Sequence, residues 1–472
     1  MTLSGYKIYR QQTDMDLRKR QPRPESRDRR LSSSPRDPNV KVRFRTSLHN
    51  TVCDVMTSLD GWEETDSDMD WDLHWADVGW VREYFDAMQP KLHEHQRLNH
   101  FKNHYELTRK DLLVKNLKRM KKQQAKSELS VPPADFWSLT FVLPMEYGMF
   151  LEEFKRFPGA MWIMKPIGKA QGKGIFLFEK LSQISDWKKD HTWKPDGLQA
   201  KTSDTYIVQK YIENPYTIGG KKFDLRLYVL VTSFSPLVVW TYRAGFGRFS
   251  NARYSQAKAD MDNLYMHLTN ASVQKTAQDY DKSMGCKWPL DSIKQFLISK
   301  HGVRAVDSLF HDIQTVVTKS LLAVQPILIQ DKHCFELYGY DILIDSDLKP
   351  WLLEVNASPS LTGGRWWKHI YIYFCVFLFY SNVTATFTLI NMNGWLALGV
   401  DTDEDYGLKW NLVAHTMQVI DMARHRNGSE RHVGGFDLIW DNGPVLDAHP
   451  DGYLSYLGCA FDRLPHQRPV KA

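Results

Sequence analysis

The sequence predicts an α+β fold, and two observations carry this prediction. From about residue 160 to residue 362, short apolar segments bounded by Gly-rich turns are typical of strands, and the stretches between them are typical of helices. The chain has 472 residues, of which 43% are hydrophobic and 25% charged, and this composition excludes a mostly disordered protein. Strands and helices that alternate within one region also exclude an all-helical or an all-β domain.

The chain begins with a basic segment. Residues 1–38 hold ten Lys or Arg and five Asp or Glu, so they contribute +5 to a net charge of +6. The segment is rich in Pro, Ser and Arg and lacks periodic apolar residues. We therefore predict a disordered tail over 1–38, in preference to a nucleic-acid-binding arm.

The cysteines indicate a reducing compartment such as the cytoplasm. Five of them are scattered without any CxxC pair, at Cys53, Cys286, Cys334, Cys375 and Cys459. This spacing excludes a disulfide scaffold and a zinc ribbon. The first residues also lack the apolar run of a secretory signal.

The folded region is predicted over 39–445, followed by a tail over 446–472. Residues 42–56 (VRFRTSLHNTVCDVM) predict a short strand and then a helix. Trp71, Leu73 and Trp75 alternate with polar residues, which predicts a strand after an exposed acidic loop.

Residues 102–126 predict one strongly basic helix. They hold nine Lys or Arg against two Asp or Glu, with a buried stripe at Leu107, Leu112, Leu113 and Leu117. The charges favour either a solvated helix face or a binding site for an acidic partner. Base-stacking aromatic residues do not interleave with them, which argues against nucleic acid.

The next region predicts seven strands and two helices. The strands are MWIMKP, GIFLF, YIVQKYI, FDLRLYVLVTS, LVVWTYR, CFELYGYDILID and PWLLEVNAS, and the helices are DSIKQFLISK and VDSLFHDIQTVVTKSLLAVQ.

A lysine and a glycine-rich loop are candidates for phosphate binding. Lys165 ends an apolar strand, and the loop IGKAQGKG follows it. Glycines let backbone N–H groups approach phosphate oxygens, and Lys169 and Lys173 add positive charge. A surface hairpin has the same pattern, and the GxxxxGK[ST] loop is absent.

Charged residues on the later strands are candidates for a metal site. Asp224 and Arg226 alternate with apolar residues and share one strand face, where they require pairing or a ligand. Glu354 and Asn356 also share a face, and Asp341 can join them from a neighbouring strand. Oxygen ligands of this kind suit Mg²⁺ bound with nucleotide phosphates.

Taken together, these segments resemble the tubulin tyrosine ligase-like family of ATP-grasp ligases. The resemblance rests on MWIMKP, QGKGIFLF, QKYIENP, GGKKFDLRLYVLV, HLTN, YGYDILID and PWLLEVNASPSL, and covers roughly residues 41–362 and 401–445. It implies an ATP-grasp fold with N-terminal, central and C-terminal subdomains. Within the family the chain is most similar to the polyglutamylases.

The resemblance implies a reaction and its cofactors. Family members use ATP and Mg²⁺ to convert a carboxylate to an acyl phosphate, which the amine of an amino acid attacks. In polyglutamylases the carboxylate belongs to a glutamate in the acidic tubulin tail, and the amine to free or chain-terminal glutamate. The expected partners are therefore tubulin or microtubules, free glutamate and accessory subunits, with no nucleic acid and no membrane. The expected location is the cytoplasm and cytoskeleton, in the axoneme or basal body of a cilium or flagellum.

Site residues are implied at the matching positions. The nucleotide-binding residues would be Lys165, Gln171, Gly172, Lys173, Gly174, Gln209, Lys210, Tyr211, Ile212, Lys222, Asp224, Thr269 and Asn270. The magnesium ligands would be Asp341, Glu354 and Asn356, and the catalytic residues Arg226 and Glu354. The cations for the incoming glutamate would be Arg248, Lys287 and Lys409.

One segment departs from the family pattern. Residues 365–400 are an apolar insertion, and no Asp, Glu, Lys or Arg occurs from His369 to Val400. Its length first suggests a transmembrane helix. However, only residues 370–380 are densely apolar, and a span here would separate two elements of one pocket. We interpret the insertion as an artefact of intron read-through.

Three other functions remain open. A family ligase could add glycine or tyrosine, although Arg248 and Lys287 favour an acidic amino acid. A non-catalytic subunit could bind microtubules, which the insertion favours and the unbroken set of phosphate and metal residues opposes. A small-molecule ligase of the same fold is disfavoured by the basic helix.

Overall fold

The computed structural model describes residues 41–88, 90–126, 135–184, 205–280, 286–361, 403–422 and 424–445. All of them fall within one compact unit, Arg36–Ala472. The predicted tails (1–38 and 446–472) and the insertion (365–400) lie outside the described residues, so those predictions stay predictions.

The first part of the chain forms a small parallel sheet with the order β2-β1-β3-β4. Its elements are β1 Val42–Thr46, α1 Thr51–Ser58, β2 Trp62–Glu64, β3 Leu73–Trp75, α2 Val78–Trp80, a π-helical turn Val81–Phe85, α3 Asp86–Met88 and β4 Arg97–Leu98. The side chain of Asn50 accepts a hydrogen bond from the Val52 amide and so caps α1. The predicted strand–helix pair and the strand around Leu73 are confirmed.

The basic segment forms two helices, α4 Tyr105–Thr108 and α5 Lys110–Gln124. The prediction of one helix over 102–126 is wrong, because Arg109 is extended (φ −85°, ψ 129°). The side-chain amide of Asn116 donates to the carbonyl of Glu106 at 3.0 Å and thereby holds α5 against α4. The predicted stripe is buried except at Leu112, which is half-buried.

A small antiparallel sheet follows, with the order β5-β8-β6-β7. Its elements are β5 Thr140–Leu143, α6 Tyr147–Arg156, β6 Trp162–Pro166, β7 Phe176–Phe178, a 3₁₀ turn Leu181–Ile184 and β8 Tyr206–Lys210. Its core is aromatic, with Phe150 packed edge-on against Trp162 at 5.2 Å between ring centroids.

The rest of the chain builds a nine-stranded antiparallel sheet with helices against it. The path β13-β12-β10-β11-β17-β16 carries two branches, in which β14 pairs with β10 and β15, and β9 pairs with β10. The strands are β9 Thr217–Ile218, β10 Lys221–Phe234, β11 Leu237–Tyr242, β12 Phe246–Arg253, β13 Lys287–Pro289, β14 Glu336–Ile344, β15 Pro350–Asn356, β16 His432–Val433 and β17 Phe436–Asp441.

The helices of this region are α7 Leu264–His267, α8 Ala271–Gln274, α9 Leu290–His301, α10 Val303–Val324 and α11 Asp403–Ile420, with a 3₁₀ turn at Lys258–Asp260. The apolar face of α10 packs into the largest core cluster together with β10 and β14. Among the described residues, no helix is long and apolar enough to cross a membrane.

Register in the large sheet brings the predicted charged residues together. Arg226 on β10 lies opposite Asp341 on β14, which in turn lies opposite Glu354 on β15. On the other edge of β10, Asp224 lies opposite Arg248 on β12. Parallel and antiparallel sheets combined with helices confirm the α+β class.

Candidate functional site

A cleft lies between the small antiparallel sheet and strands β10, β14 and β15. Most of the predicted site residues line it: Lys165, Gln171, Gly172, Gln209, Lys210, Tyr211, Ile212, Lys222, Asp224, Arg248, Thr269, Asn270, Asp341, Glu354 and Asn356. Five others lie off its lining, namely Lys173, Gly174, Arg226, Lys287 and Lys409. The sequence therefore identified one spatial cluster from segments far apart in the chain.

Lys165 presents an ammonium group on one wall of the cleft. It lies on β6 and donates from Nζ to Oε1 of Gln209 on β8 at 2.8 Å. The amide of Gln209 in turn donates to Oγ1 of Thr140 at 3.0 Å, so the glutamine is fixed at both ends. Desolvation lowers the pKa of Lys165 to about 8, against the raising influence of Glu354. An anion in the cleft would stabilise its charged form.

The glycine-rich loop packs against the start of α8. Gly172 has a φ of +77°, and a Cβ at this position would lie 2.9 Å from Cγ2 of Val273. Only glycine therefore fits between the loop and this helix without a shift. Oγ of Ser272 donates to the carbonyl of Gln171 at 2.9 Å and ties the loop to the residues that follow Thr269 and Asn270.

Lys222 is buried deeper in the cleft. Its Nζ donates to the hydroxyl of Tyr211 at 2.8 Å and to the carbonyl of His267 at 2.9 Å. Desolvation lowers the pKa of Lys222 to about 7, although the charge of Asp224 raises it. Tyr211 also contacts Nδ1 of His267 at 3.0 Å. The sequence analysis missed His267, because nothing in its spacing connects it to the lysine.

Asp341 holds two guanidinium groups. Nε of Arg226 donates to Oδ1 at 2.6 Å, and Nη2 of Arg248 contacts Oδ2 at 2.8 Å. Arg248 also pairs with Asp224. Burial by itself would raise the pKa of Asp341, but Arg226 and Arg248 hold it well below its usual range. The carboxylate is therefore ionised inside a buried network.

The other two candidate metal ligands, Glu354 and Asn356, lie on β15. Glu354 pairs through Oε2 with Nζ of Lys110 at 3.1 Å, and Nδ2 of Asn356 donates to the carbonyl of Gly339 at 3.2 Å. This hydrogen bond leaves the side-chain oxygen of Asn356 as an acceptor. Two carboxylates and one amide oxygen on neighbouring strands fit a hard divalent cation. The sequence analysis treated Lys110 only as part of the basic segment and did not predict its contact with Glu354. That contact depends on the break between the two helices at Arg109.

The three cationic side chains predicted to bind glutamate lie near one another. Strand pairing joins two of them, and the carboxylate of Asp405 contacts two. Arg248 on β12 lies opposite Lys287 on β13. Lys287 contacts Oδ2 of Asp405 at 3.2 Å, and Lys409 donates to the same atom at 2.6 Å. The sequence analysis missed Asp405, although its position four residues before Lys409 on a helix was a usable signal.

Similarity to known proteins agrees with this arrangement. The model of the tubulin-tyrosine ligase family matches residues 87–385. The chain is 44% identical to "Probable tubulin polyglutamylase TTLL9" of Bos taurus, over 92% of this chain and 93% of that protein. It is 42% identical to "Probable tubulin polyglutamylase ttll-9" of Caenorhabditis elegans, over 88% and 89% of the two chains.

A third relative has a different name from the first two. The chain is 45% identical to "Probable alpha-tubulin polyglutamylase Ttll1" of Tetrahymena thermophila, over 68% of this chain and 81% of that protein. The family match at residues 87–385 includes the strands that line the cleft. The chain therefore belongs to the tubulin-tyrosine ligase family.

Proposed function

We propose that this chain is an ATP- and Mg²⁺-dependent ATP-grasp ligase that adds glutamate to glutamate side chains in tubulin C-terminal tails. The observation that carries the proposal is a single cleft that joins a glycine-rich loop and buried lysines to three oxygen donors. Relatives named as tubulin polyglutamylases support the choice of tubulin and glutamate.

The nucleotide would lie between the small sheet and the large sheet. Lys165 and the loop around Gly172 would hold its phosphates, since both offer N–H donors or positive charge at the cleft wall. Residues 209–212, at and just after the end of β8, would contact the adenine base, and Lys222 and Asp224 would also contact the nucleotide. A nucleotide held between two sheets in this way would correspond to the ATP-grasp arrangement.

The metal ligands would be Asp341, Glu354 and Asn356. A bound magnesium ion would neutralise charge on the phosphate oxygens. Lys110 and Arg226 already neutralise the two carboxylates. Their contacts hold both carboxylates in place in the protein itself.

The reaction would proceed in two steps, phosphoryl transfer to a carboxylate and then attack by an amine. A carboxylate oxygen of the tubulin glutamate attacks the terminal phosphorus of ATP, and the bond to the leaving ADP oxygen breaks. The amine of the incoming glutamate then attacks the acyl carbon, releases inorganic phosphate and loses a proton. Arg226 would stabilise charge on the transferred group, because phosphoryl transfer depends on positioning and electrostatics.

The incoming glutamate and the acidic tail would each meet cations. Arg248, Lys287 and Lys409 would pair with the carboxylates of the amino acid. Helix α5 begins with Lys110 at the cleft and is strongly basic along its length, which suits an acidic tubulin tail. The protein would therefore act on microtubules, and the family resemblance alone suggests those of cilia and flagella.

Incorporation of labelled glutamate, glycine and tyrosine into microtubules tests this function. Full-length protein and a version without 365–400 would be compared, each beside its Glu354→Gln variant. Glutamate incorporation that requires ATP and Mg²⁺ and is lost in Glu354→Gln would support the ligase. Higher activity without 365–400 would support the interpretation of that segment as an artefact.

Two other results would contradict the proposal and favour a different function. Incorporation of glycine or tyrosine in place of glutamate would change the assigned amino acid. Binding to microtubules without any incorporation, by either version, would instead indicate an accessory subunit.

A further inference from the structure

A chain of hydrogen bonds runs from a backbone carbonyl to a lysine at the cleft. Its members are the carbonyl of Asp260, the imidazole of His267, the hydroxyl of Tyr211 and the ammonium group of Lys222. His267 and Lys222 both line the cleft, and their exposed fractions are only 2% and 6%. The proposed function uses Lys222 but gives His267 no role.

Local structure fixes the position of the imidazole. His267 ends α7, and the side-chain oxygen of Asn263 caps this short helix by accepting a backbone hydrogen bond at 3.1 Å. Nε2 of His267 lies 3.1 Å from the carbonyl oxygen of Asp260, which ends the preceding 3₁₀ turn. The rings of Tyr211 and Tyr254 pack edge-on against the imidazole, with centroid distances of 5.6 Å and 5.8 Å. These contacts hold the imidazole in one orientation.

The neighbours of the imidazole identify its tautomer. A carbonyl oxygen can only accept, so Nε2 of His267 carries the proton and donates it to the carbonyl of Asp260. Burial and the charge of Lys222 lower the pKa of His267, which keeps the ring neutral and Nδ1 unprotonated near pH 7. Nδ1 therefore accepts from the hydroxyl of Tyr211 at 3.0 Å. The hydroxyl of Tyr254 does not supply this hydrogen, because it donates to a backbone carbonyl elsewhere.

The direction of the Tyr211 hydrogen determines what Lys222 meets. Because Tyr211 gives its hydrogen to His267, a lone pair of its oxygen faces Lys222, whose Nζ donates to it at 2.8 Å. The carbonyl of His267 accepts from the same Nζ at 2.9 Å. Burial lowers the pKa of Lys222 to about 7, so acceptors that favour its charged form increase the positive charge available to a nucleotide. A hydroxyl hydrogen turned towards Lys222 would oppose that charge.

We propose that His267 is a positioning residue for nucleotide binding, because its Nδ1 takes the hydrogen of the Tyr211 hydroxyl and leaves the oxygen as an acceptor for Lys222. In this role His267 acts through Tyr211 and makes no contact of its own with the nucleotide. The inference rests on the proposed function, in which Lys222 contacts the nucleotide.

ATP binding by variants of the full-length protein tests this role. Calorimetric titration would compare His267→Phe, which keeps a ring without nitrogens, with His267→Asn, whose side-chain oxygen takes the place of Nδ1. The Kd for ATP should rise about ten-fold in His267→Phe and stay within about two-fold of the unaltered value in His267→Asn. His301→Phe is the matched control, because His301 contacts the hydroxyl of Tyr216 at 2.7 Å outside the cleft. Its Kd for ATP should be unchanged.

A double variant separates a positioning role from a purely structural one. Tyr211→Phe should raise the Kd for ATP about ten-fold by itself, and His267→Phe should add no further loss in its presence. Losses that multiply in the double variant would overturn the proposal. Equal Kd values for the unaltered protein and Tyr211→Phe would overturn it as well, and this comparison remains decisive if His267→Phe does not fold. Tyr216→Phe is the control for it.

The same titration separates this inference from the ligase function on which it rests. Failure of the unaltered protein to bind ATP would overturn both. ATP binding by the unaltered protein, with an equal Kd in folded His267→Phe, would overturn the positioning role alone. Thermal unfolding would establish that each variant is folded.

Discussion

Arg226 donates from Nε to Oδ1 of Asp341 at 2.6 Å, and the β10–β14 ladder places the two residues directly opposite each other. Arg248 contacts the other oxygen of the same carboxylate. Asp341 thus pairs with two guanidinium groups, and Arg248 also pairs with a second buried acid, Asp224. Asp341 therefore belongs to the buried ion-pair network of the fold as well as to the proposed site.

Asp341→Asn should be strongly destabilising. It would leave two buried guanidinium groups without their shared carboxylate, a loss of about 3–5 kcal/mol in the free energy of unfolding. Denaturant titration would measure this loss. The double variant Arg226→Gln/Asp341→Asn should be less destabilised than the sum of the two single variants, because one unpaired charge is removed. It should still lack ligase activity. Strictly additive losses would contradict the coupling between the two residues.

Asp405→Asn should weaken the use of the incoming amino acid. Asp405 accepts from Lys409 at 2.6 Å and contacts Lys287 at 3.2 Å, so its removal frees both ammonium groups from their common position. We expect the KM for glutamate to rise about ten-fold, since a charge-assisted contact contributes roughly 1.5–3 kcal/mol. Asp291→Asn, at an exposed acid on α9, is the control. An unchanged KM for glutamate in Asp405→Asn would contradict a positioning role.

Gly172→Ala should weaken nucleotide binding. The added Cβ would lie 2.9 Å from Val273 in a backbone with a φ of +77°, so the loop must shift away from α8. A cost of roughly 1–2 kcal/mol corresponds to about five- to thirty-fold weaker binding. Calorimetric titration with ATP would measure it. Gly168→Ala is the matched control in the same loop, because its Cβ would meet no atom within 4 Å. Equal effects of the two changes would contradict the packing argument.

Nucleotide binding should be accompanied by proton uptake near pH 8. Desolvation lowers the pKa of Lys165 from 10.5 to about 8, so the free protein carries this lysine partly neutral there. Phosphate anions favour the charged form and raise its pKa, so affinity should fall as the pH rises from 7 to 9. Calorimetry in two buffers of different ionisation enthalpy measures the uptake.

Lys165→Gln provides the control for this proton. It should bind ATP more weakly, with less uptake than the unaltered protein. The free protein should also gain stability from Lys165 as the pH rises from about 8 towards 10.5, because the cost of burying its charge disappears. Equal binding heats in both buffers would contradict the prediction.

Local pattern was sufficient for most elements. Apolar alternation predicted β10 and β14, and helical spacing predicted α9 and α10, because side-chain direction follows directly from backbone period. Helical spacing did not predict the break between α4 and α5 within residues 102–126. The basic segment reads as one helix, but Asn116 holds α5 against α4 and the chain is extended at Arg109. This interaction joins residues ten positions apart and has no periodic signal.

The sequence by itself determined the α+β class, the family and most of the residues that line the cleft, because each depends on residue types at short spacings. The tertiary structure alone decided which charges meet. Strand register places Arg226 on Asp341, the break at Arg109 brings Lys110 to Glu354, and Asp405 joins Lys287 to Lys409. Electrostatic partners are selected by distance in space, and distances across a sheet are set by chain topology rather than by local pattern.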